Sequence, residues 1–281
     1  MSRRLVWALA VFGGLSLAAV ATGVLVAHAQ GVSASVWARN LGSWAAGALA
    51  ALLLGRFAGP RVALAFCAAA PIGLLGALAN TGRLGVHRWL DLGPLHINAA
   101  EVLLPPAIAA CAASARGRLW PWFAAAAMAL LVVQPDASQA TAFGGALAVL
   151  LGASRLPRAL RIAGVVGVGM AIGASWLRRD PLAPVPEVEE IMRLAWTVSP
   201  LAAIAAWTAL LGAAASFWLF PAARPHAGAW ALGVYAILSA LTPLMGAFPV
   251  PLVGMAMSPI VGLWLGAGMM AAQARRGAQC V

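Results

Sequence analysis

Apolar residues in this chain come in long, nearly unbroken runs instead of at helical or alternating spacing. Ten runs stand out, at roughly 5–27, 38–55, 61–80, 97–115, 119–134, 140–154, 160–177, 199–220, 227–247 and 251–273, separated by Arg, Pro, Gly or polar clusters. A helix needs about 20 residues to cross the ~30 Å hydrocarbon layer. The pattern therefore predicts an all-α polytopic membrane protein with about ten transmembrane helices, formed as one domain over 1–281. No soluble domain, long linker or low-complexity tail interrupts it, and the longest polar connections are 80–97 and 178–198. Arg3, Arg4 and the Ala27-His28-Ala29 triplet imitate a signal peptide. The run from Leu5 to Ala27 exceeds the usual ~7–15-residue signal core, so it is expected to be the first membrane helix.

Composition supports this picture. The chain is 63% hydrophobic and only 9% charged, whereas soluble domains carry about 25% charge. All 18 basic residues are arginine, giving a net charge of +11. They occur singly or in pairs between apolar runs, which excludes a nucleic-acid patch and fits loop anchors. With the N-terminus inside, Arg3, Arg4, Arg56, Arg61, Arg116, Arg118, Arg155, Arg158, Arg161, Arg224, Arg275 and Arg276 fall on the inner side. Arg39, Arg83, Arg88, Arg178, Arg179 and Arg193 fall outside, and the two-to-one bias predicts both termini in the cytoplasm. All seven acids, Asp91, Glu101, Asp136, Asp180, Glu187, Glu189 and Glu190, fall in outer connections or at outer helix ends. Cys67, Cys111, Cys280 and the four histidines show no ligand spacing, so neither a disulfide framework nor a metal site is expected.

Three polar interruptions carry candidate chemistry. Gly85 to Pro94 contains Arg88, Trp89 and Asp91, where Arg and Trp also suit interfacial anchoring and Gly-Pro suits a turn. Glu101 follows inside the next helix, and a carboxylate there faces a wet cavity or the protein interior and has a partner, with Arg88 the obvious one. Gln134-Pro135-Asp136-Ala137-Ser138-Gln139 divides the 36 residues from Leu119 to Ser154 into two helices too short for the bilayer, which predicts a recessed turn. Pro249 to Pro259 holds three prolines and predicts irregular backbone at the start of the last span.

These features, in this order, resemble the SEDS family (shape, elongation, division and sporulation), the RodA/FtsW-type peptidoglycan glycosyltransferases. The family's G-x-R-R-W-x-x-x-G and Q-P-S-E match Gly85 to Gly93 and Asn98-Ala99-Ala100-Glu101. Its Q-P-D-x-G-T matches Gln134 to Gln139, and P-L-P-F-V-S-Y-G-G-S-S matches Pro249 to Pro259 without a gap. Leu241 to Gly246 is similar to the lead-in of that last motif. No motif is intact, but several stand in register along nearly the whole chain.

The resemblance implies a bacterial inner-membrane protein that binds a polyprenyl-linked precursor (lipid II) on the outer face and polymerises glycan during elongation or division. It implies Glu190 at the position of the family's catalytic Asp, with Arg88, Trp89, Glu101, Asp136 and Ser258 around the substrate cavity. The implied partners are the lipid-linked precursor, the membrane and a penicillin-binding transpeptidase; nucleic acid is not among them. No cofactor is expected, with a divalent metal left open. Two departures stand out: the connection from Arg178 to Ser199 is short, and Met255-Ala256-Met257-Ser258 replaces Tyr-Gly-Gly-Ser. They motivate the alternative of a non-catalytic scaffold or regulator of wall synthases. A lipid flippase or transporter is the third alternative, although no inverted repeat is visible.

Overall fold

The computed structural model describes residues 2–93, 95–114, 119–178, 180–221 and 227–279. Arg116, Arg118, Arg179 and Arg224 of the arginine pattern lie outside these, as do Pro94, His226 and Cys280. Among the described residues, ten long helices each overlap one of the ten apolar runs. They are α1 (Arg3–Ala29), α2 (Ala34–Phe57), α3 (Pro60–Leu78), α4 (Ala99–Ala113), α5 (Trp120–Val133), α6 (Ala137–Ala153), α7 (Arg158–Trp176), α10 (Pro200–Ala215), α11 (Ala227–Leu241) and α12 (Met257–Gln279). Two short helices, α8 (Pro186–Glu189) and α9 (Ile191–Val198), precede α10. Five described stretches, Arg3–Ala29, Pro60–Leu78, Arg158–Trp176, Pro200–Leu219 and Ala227–Leu244, are long and apolar enough to cross a membrane. The helices α4, α5 and α6 are apolar but shorter. The chain is a polytopic helical membrane protein.

Local chemistry sets the helix ends. Asn98 caps α4 by accepting N–H bonds from Ala100 (3.0 Å) and Glu101 (3.3 Å). Asp136 caps α6 by accepting from Gln139 N (3.2 Å), and Ser199 caps α10 by accepting from Ala202 N (3.0 Å). Pro60, Pro121 and Pro200 sit in first turns, where no N–H is required.

At the centre α12 packs between α2 and α4, while α11 lies on α6, α3 on α4 and α1 on α10. Close contacts among these helices depend on small residues, as membrane helix interfaces generally do. Gly23 of α1 faces the backbone of Val253 so closely that a Cβ would lie 2.0 Å from its carbonyl oxygen. Gly47 of α2 is packed against the Trp264 ring. Cys67 and Cys111 are buried free thiols whose Sγ atoms lie 3.5 Å apart between α3 and α4.

The two ends of the bundle differ in charge. Arg275 and Arg276 donate to the Ala58 carbonyl (3.2 and 2.8 Å), tying the end of α12 to the α2–α3 turn. The short α1–α2 connection brings the start of α1 to that same end, beside the end of α12.

Two features were not read from the sequence. A β-hairpin, β1 (Trp89–Leu92) and β2 (Leu95–Asn98), pairs Trp89 with Asn98 and Asp91 with His96. Gly93, at φ +63°, provides the left-handed conformation for its reversal. The 178–198 connection, read as a polar loop, contains α9, which buries Ile191, Met192 and Ala195 against α1 and α10. The last helix also begins later than its apolar run suggested, at Met257. Pro249 to Ala256 is irregular backbone with Val250, Leu252 and Val253 buried, so protein covers its polar groups.

Candidate functional site

The turn between α5 and α6 is a buried polar element at the acidic end. It spans Gln134 to Asp136, and Gln134 and Asp136 are 1% and 2% exposed. The helices beside it are 14 and 17 residues long, or roughly 21 and 26 Å, both shorter than the ~30 Å apolar layer. Neighbours satisfy part of its polar groups, while Gln134 Oε1 and Asp136 Oδ2 have no hydrogen-bond partner. Gln134 Nε2 donates to the Leu74 carbonyl (2.7 Å), and Arg88 Nη2 donates to the Pro135 carbonyl (2.7 Å). Ser138 Oγ lies 2.7 Å from Thr242 Oγ1, and Tyr235 donates its hydroxyl to Gln139 Oε1 at 2.6 Å.

Arg88 links this turn to a second acid. Its guanidinium lies 2.7 Å from Asp180 Oδ2 through Nη1 and 3.5 Å from Asp136 Oδ2 through Nε. Arg88 is 5% exposed. Burial disfavours its charge, but Asp136 and Asp180 outweigh that and hold its pKa above the ordinary arginine value. A buried cation between two carboxylates joins three stretches of chain that are distant in sequence.

These groups line a cavity of ≈ 120 Å³ together with Arg83, Trp89, Asn98, Glu101, Gln139 and Glu189. The segment Leu182 to Val185 forms one wall, and Ala247 and Pro249 contribute another. Glu101 reaches the cavity from the first turn of α4 and is 4% exposed. Arg83 stacks its guanidinium over the Trp89 ring at 5.7 Å.

Glu189 enters from α8 and accepts the Val185 N–H through Oε2 at 2.5 Å. Burial pushes its carboxyl above the usual range, more strongly than the hydrogen bond from Val185 pulls it down, and nearby Asp180 raises it further. Two backbone bonds seat α8. Val250 N donates to the Val188 carbonyl (3.1 Å) and Met255 N donates to the Glu187 carbonyl (2.9 Å). Gly254 allows this approach, since a Cβ there would lie 2.5 Å from Val188 O.

The six residues singled out from sequence take three positions relative to the cavity. Arg88, Trp89, Glu101 and Asp136 line the cavity. Ser258 sits one bond behind it, accepting the Asn98 N–H at 3.0 Å. Glu190 is not among the lining residues; it pairs instead with exposed Arg193, three positions along the chain. The carboxylate that α8 offers to the cavity is Glu189. Asp180 and Arg83 were read only as loop charges, and nothing in their spacing marks them as lining groups. Among the described residues, no three His, Cys, Asp or Glu side chains converge in an arrangement that could hold a metal ion.

No protein-family model matches the chain, and no curated protein matches its sequence significantly. Solved structures do match its fold. A mutant of Thermus thermophilus Rod shape determining protein RodA superposes with a TM-score of 0.65 at 16% identity, covering 94% of this chain and 96% of that one. The unmutated Thermus thermophilus protein gives 0.58 at 17% identity, over 94% and 95%. A chain from a peptidoglycan synthase complex, described as coordinating polymerization and crosslinking, gives 0.69 at 18% identity, over 97% and 98%. Nearly end to end, the chain has the fold of Rod shape determining protein RodA.

Proposed function

We propose that this chain is a SEDS-like cell-wall protein that binds a polyprenyl-linked peptidoglycan precursor at its acidic end and polymerises glycan there. The observation that carries the reading is the convergence of Arg88, Glu101, Asp136 and Glu189 on one cavity. At ≈ 120 Å³ the cavity is smaller than the ~300–1,000 Å³ of whole-ligand sites, so it accepts the reacting groups while the rest of the precursor lies outside. Glu189 is the base in this reading. Its carboxylate takes the proton of the acceptor sugar hydroxyl as the new oxygen–carbon bond forms, and the bond to the lipid pyrophosphate breaks with its electrons leaving on phosphate oxygen. Arg83, which has no carboxylate within ion-pair distance among the described residues, supplies positive charge for that leaving group. Arg88, held by Asp136 and Asp180, positions the cavity walls. A penicillin-binding transpeptidase is the partner this reading calls for, since polymerised strands must then be crosslinked.

Purified protein should extend the lipid-linked disaccharide-peptide, and Glu189→Gln should abolish extension while leaving the fold intact. An amide oxygen at position 189 can still accept the Val185 N–H. Glu190→Gln, which touches only the exposed pair with Arg193, should retain most activity. Extension by Glu189→Gln at the unaltered rate would remove Glu189 from the role. A wild-type protein that never extends the precursor, yet still binds it, would favour the scaffold reading.

The pH profile follows from the same carboxyl. A base must be deprotonated to act, and burial raises the Glu189 pKa. Activity should therefore fall on acidification at a pH above that of an ordinary glutamate. A profile with its acidic limb at the ordinary glutamate value would count against Glu189.

A further inference from the structure

The helix α7 is the least integrated of the long helices. Ser175 is its one buried residue, and most of its length is open to the surroundings of the bundle. A second and much larger cavity of ≈ 900 Å³ lies among α5, α6 and α7. Its walls include Trp122, Met128, Leu147, Leu160 and Val168, and Arg155 stands in its lining.

Its dimensions and charge specify an occupant. Along α7 the lining runs from Leu160 to Ala171, roughly 16 Å at 1.5 Å per residue. That is half of the ~30 Å apolar layer, the depth of a single leaflet. Arg155 precedes α7, and Arg158 and Arg161 follow within its first turn. None of the three is in a salt bridge among the described residues. Every acid in the chain belongs to the opposite end. A groove one leaflet deep with the unneutralised Arg155 guanidinium in its lining, and two more arginines in the adjoining first turn of α7, matches a molecule with a long apolar chain and an anionic phosphate head.

We propose that the α5–α6–α7 groove binds an anionic glycerophospholipid from the leaflet at the arginine-rich end, with Arg155 on its phosphate and an acyl chain between α5 and α7. The site lies on the other end of the bundle from the cavity of Glu101 and Asp136, and the proposal does not depend on the catalytic reading. It accounts for the ≈ 900 Å³ cavity without a missing protein element.

The test reconstitutes the full chain in nanodiscs of equal phosphatidylglycerol and phosphatidylcholine, followed by native mass spectrometry of retained lipid. Wild-type protein should retain phosphatidylglycerol preferentially. Arg155→Gln should weaken that retention about tenfold, the size of one lost charge-assisted contact. Gly167→Leu places a side chain in the groove at a position where a Cβ meets nothing within 4 Å. It should fold normally and lose the retained phospholipid altogether. Equal retention of both lipids by wild-type protein, or unchanged phosphatidylglycerol in both variants, would overturn the proposal.

Discussion

Arg88→Ala is expected to lower stability by about 3–5 kcal/mol, the cost of breaking a buried ion pair by removing one partner. Arg88 is 5% exposed and Asp136 is 2% exposed, so the pair is held largely out of bulk water. The truncation leaves Asp136 and Asp180 facing each other without their shared cation, with Glu101 lining the same cavity. It also takes the donor from the Pro135 carbonyl. Thermal unfolding in detergent, followed by the fluorescence of the 12 tryptophans, measures the effect. Adding Asp136→Asn should recover part of the loss. Asparagine remains a good helix N-cap, so the substitution removes the charge and keeps the cap on α6. A double-mutant cycle that gives no coupling between positions 88 and 136 would show that the 3.5 Å contact contributes nothing to stability.

Gly262→Ala should be as damaging, for a reason that begins in α4. Pro105 lacks an N–H, so the Glu101 carbonyl four residues earlier loses its helical donor. Gly262 of α12 packs against that carbonyl. A Cβ there would lie 1.9 Å from Glu101 O and 3.0 Å from the Cα of Val102, and both obstacles are backbone. Neither can rotate away, so α4 and α12 must separate. Overpacking usually costs about 1–3 kcal/mol, and an obstruction by backbone belongs at or above the top of that range. Separation also disturbs the site, because α4 carries Asn98 and Glu101, and Ser258 of α12 accepts the Asn98 N–H. Gly14→Ala is the control. Nothing lies within 4 Å of a Cβ at that position, so alanine should be neutral or slightly stabilising through its higher helix propensity. Equal unfolding temperatures for the two variants would refute the contact argument.

The two predictions draw on different information. The Arg88 effect could be suspected from sequence, since a carboxylate in a membrane helix requires a partner. The Gly262 effect could not. The glycine is unremarkable among 30, and its significance depends on which helix α12 meets.

The same division runs through the whole protein. Helix positions were legible because a membrane span is a local property: each backbone group must be satisfied within its own segment, so length and hydropathy mark it. The buried turn at Asp136 was legible for the same reason, as its two helices are too short for the layer they occupy. The confinement of the acids to one end was visible by counting. Whether Glu189 or Glu190 faces the cavity was not. Adjacent residues on a helical turn point about 100° apart, so the choice rests on how α8 is seated by Val250 and Met255. Nor could sequence reveal that Asp180 shares Arg88 with Asp136, or that Arg83 lines the cavity, because loop charges carry no periodicity. The hairpin at Trp89 to Asn98 was hidden because its four-residue strands are too short to establish an alternating pattern. Sequence alone determined which apolar segments form the long helices and which end bears the carboxylates. Packing between segments far apart in the chain decided which of those carboxylates share a cavity.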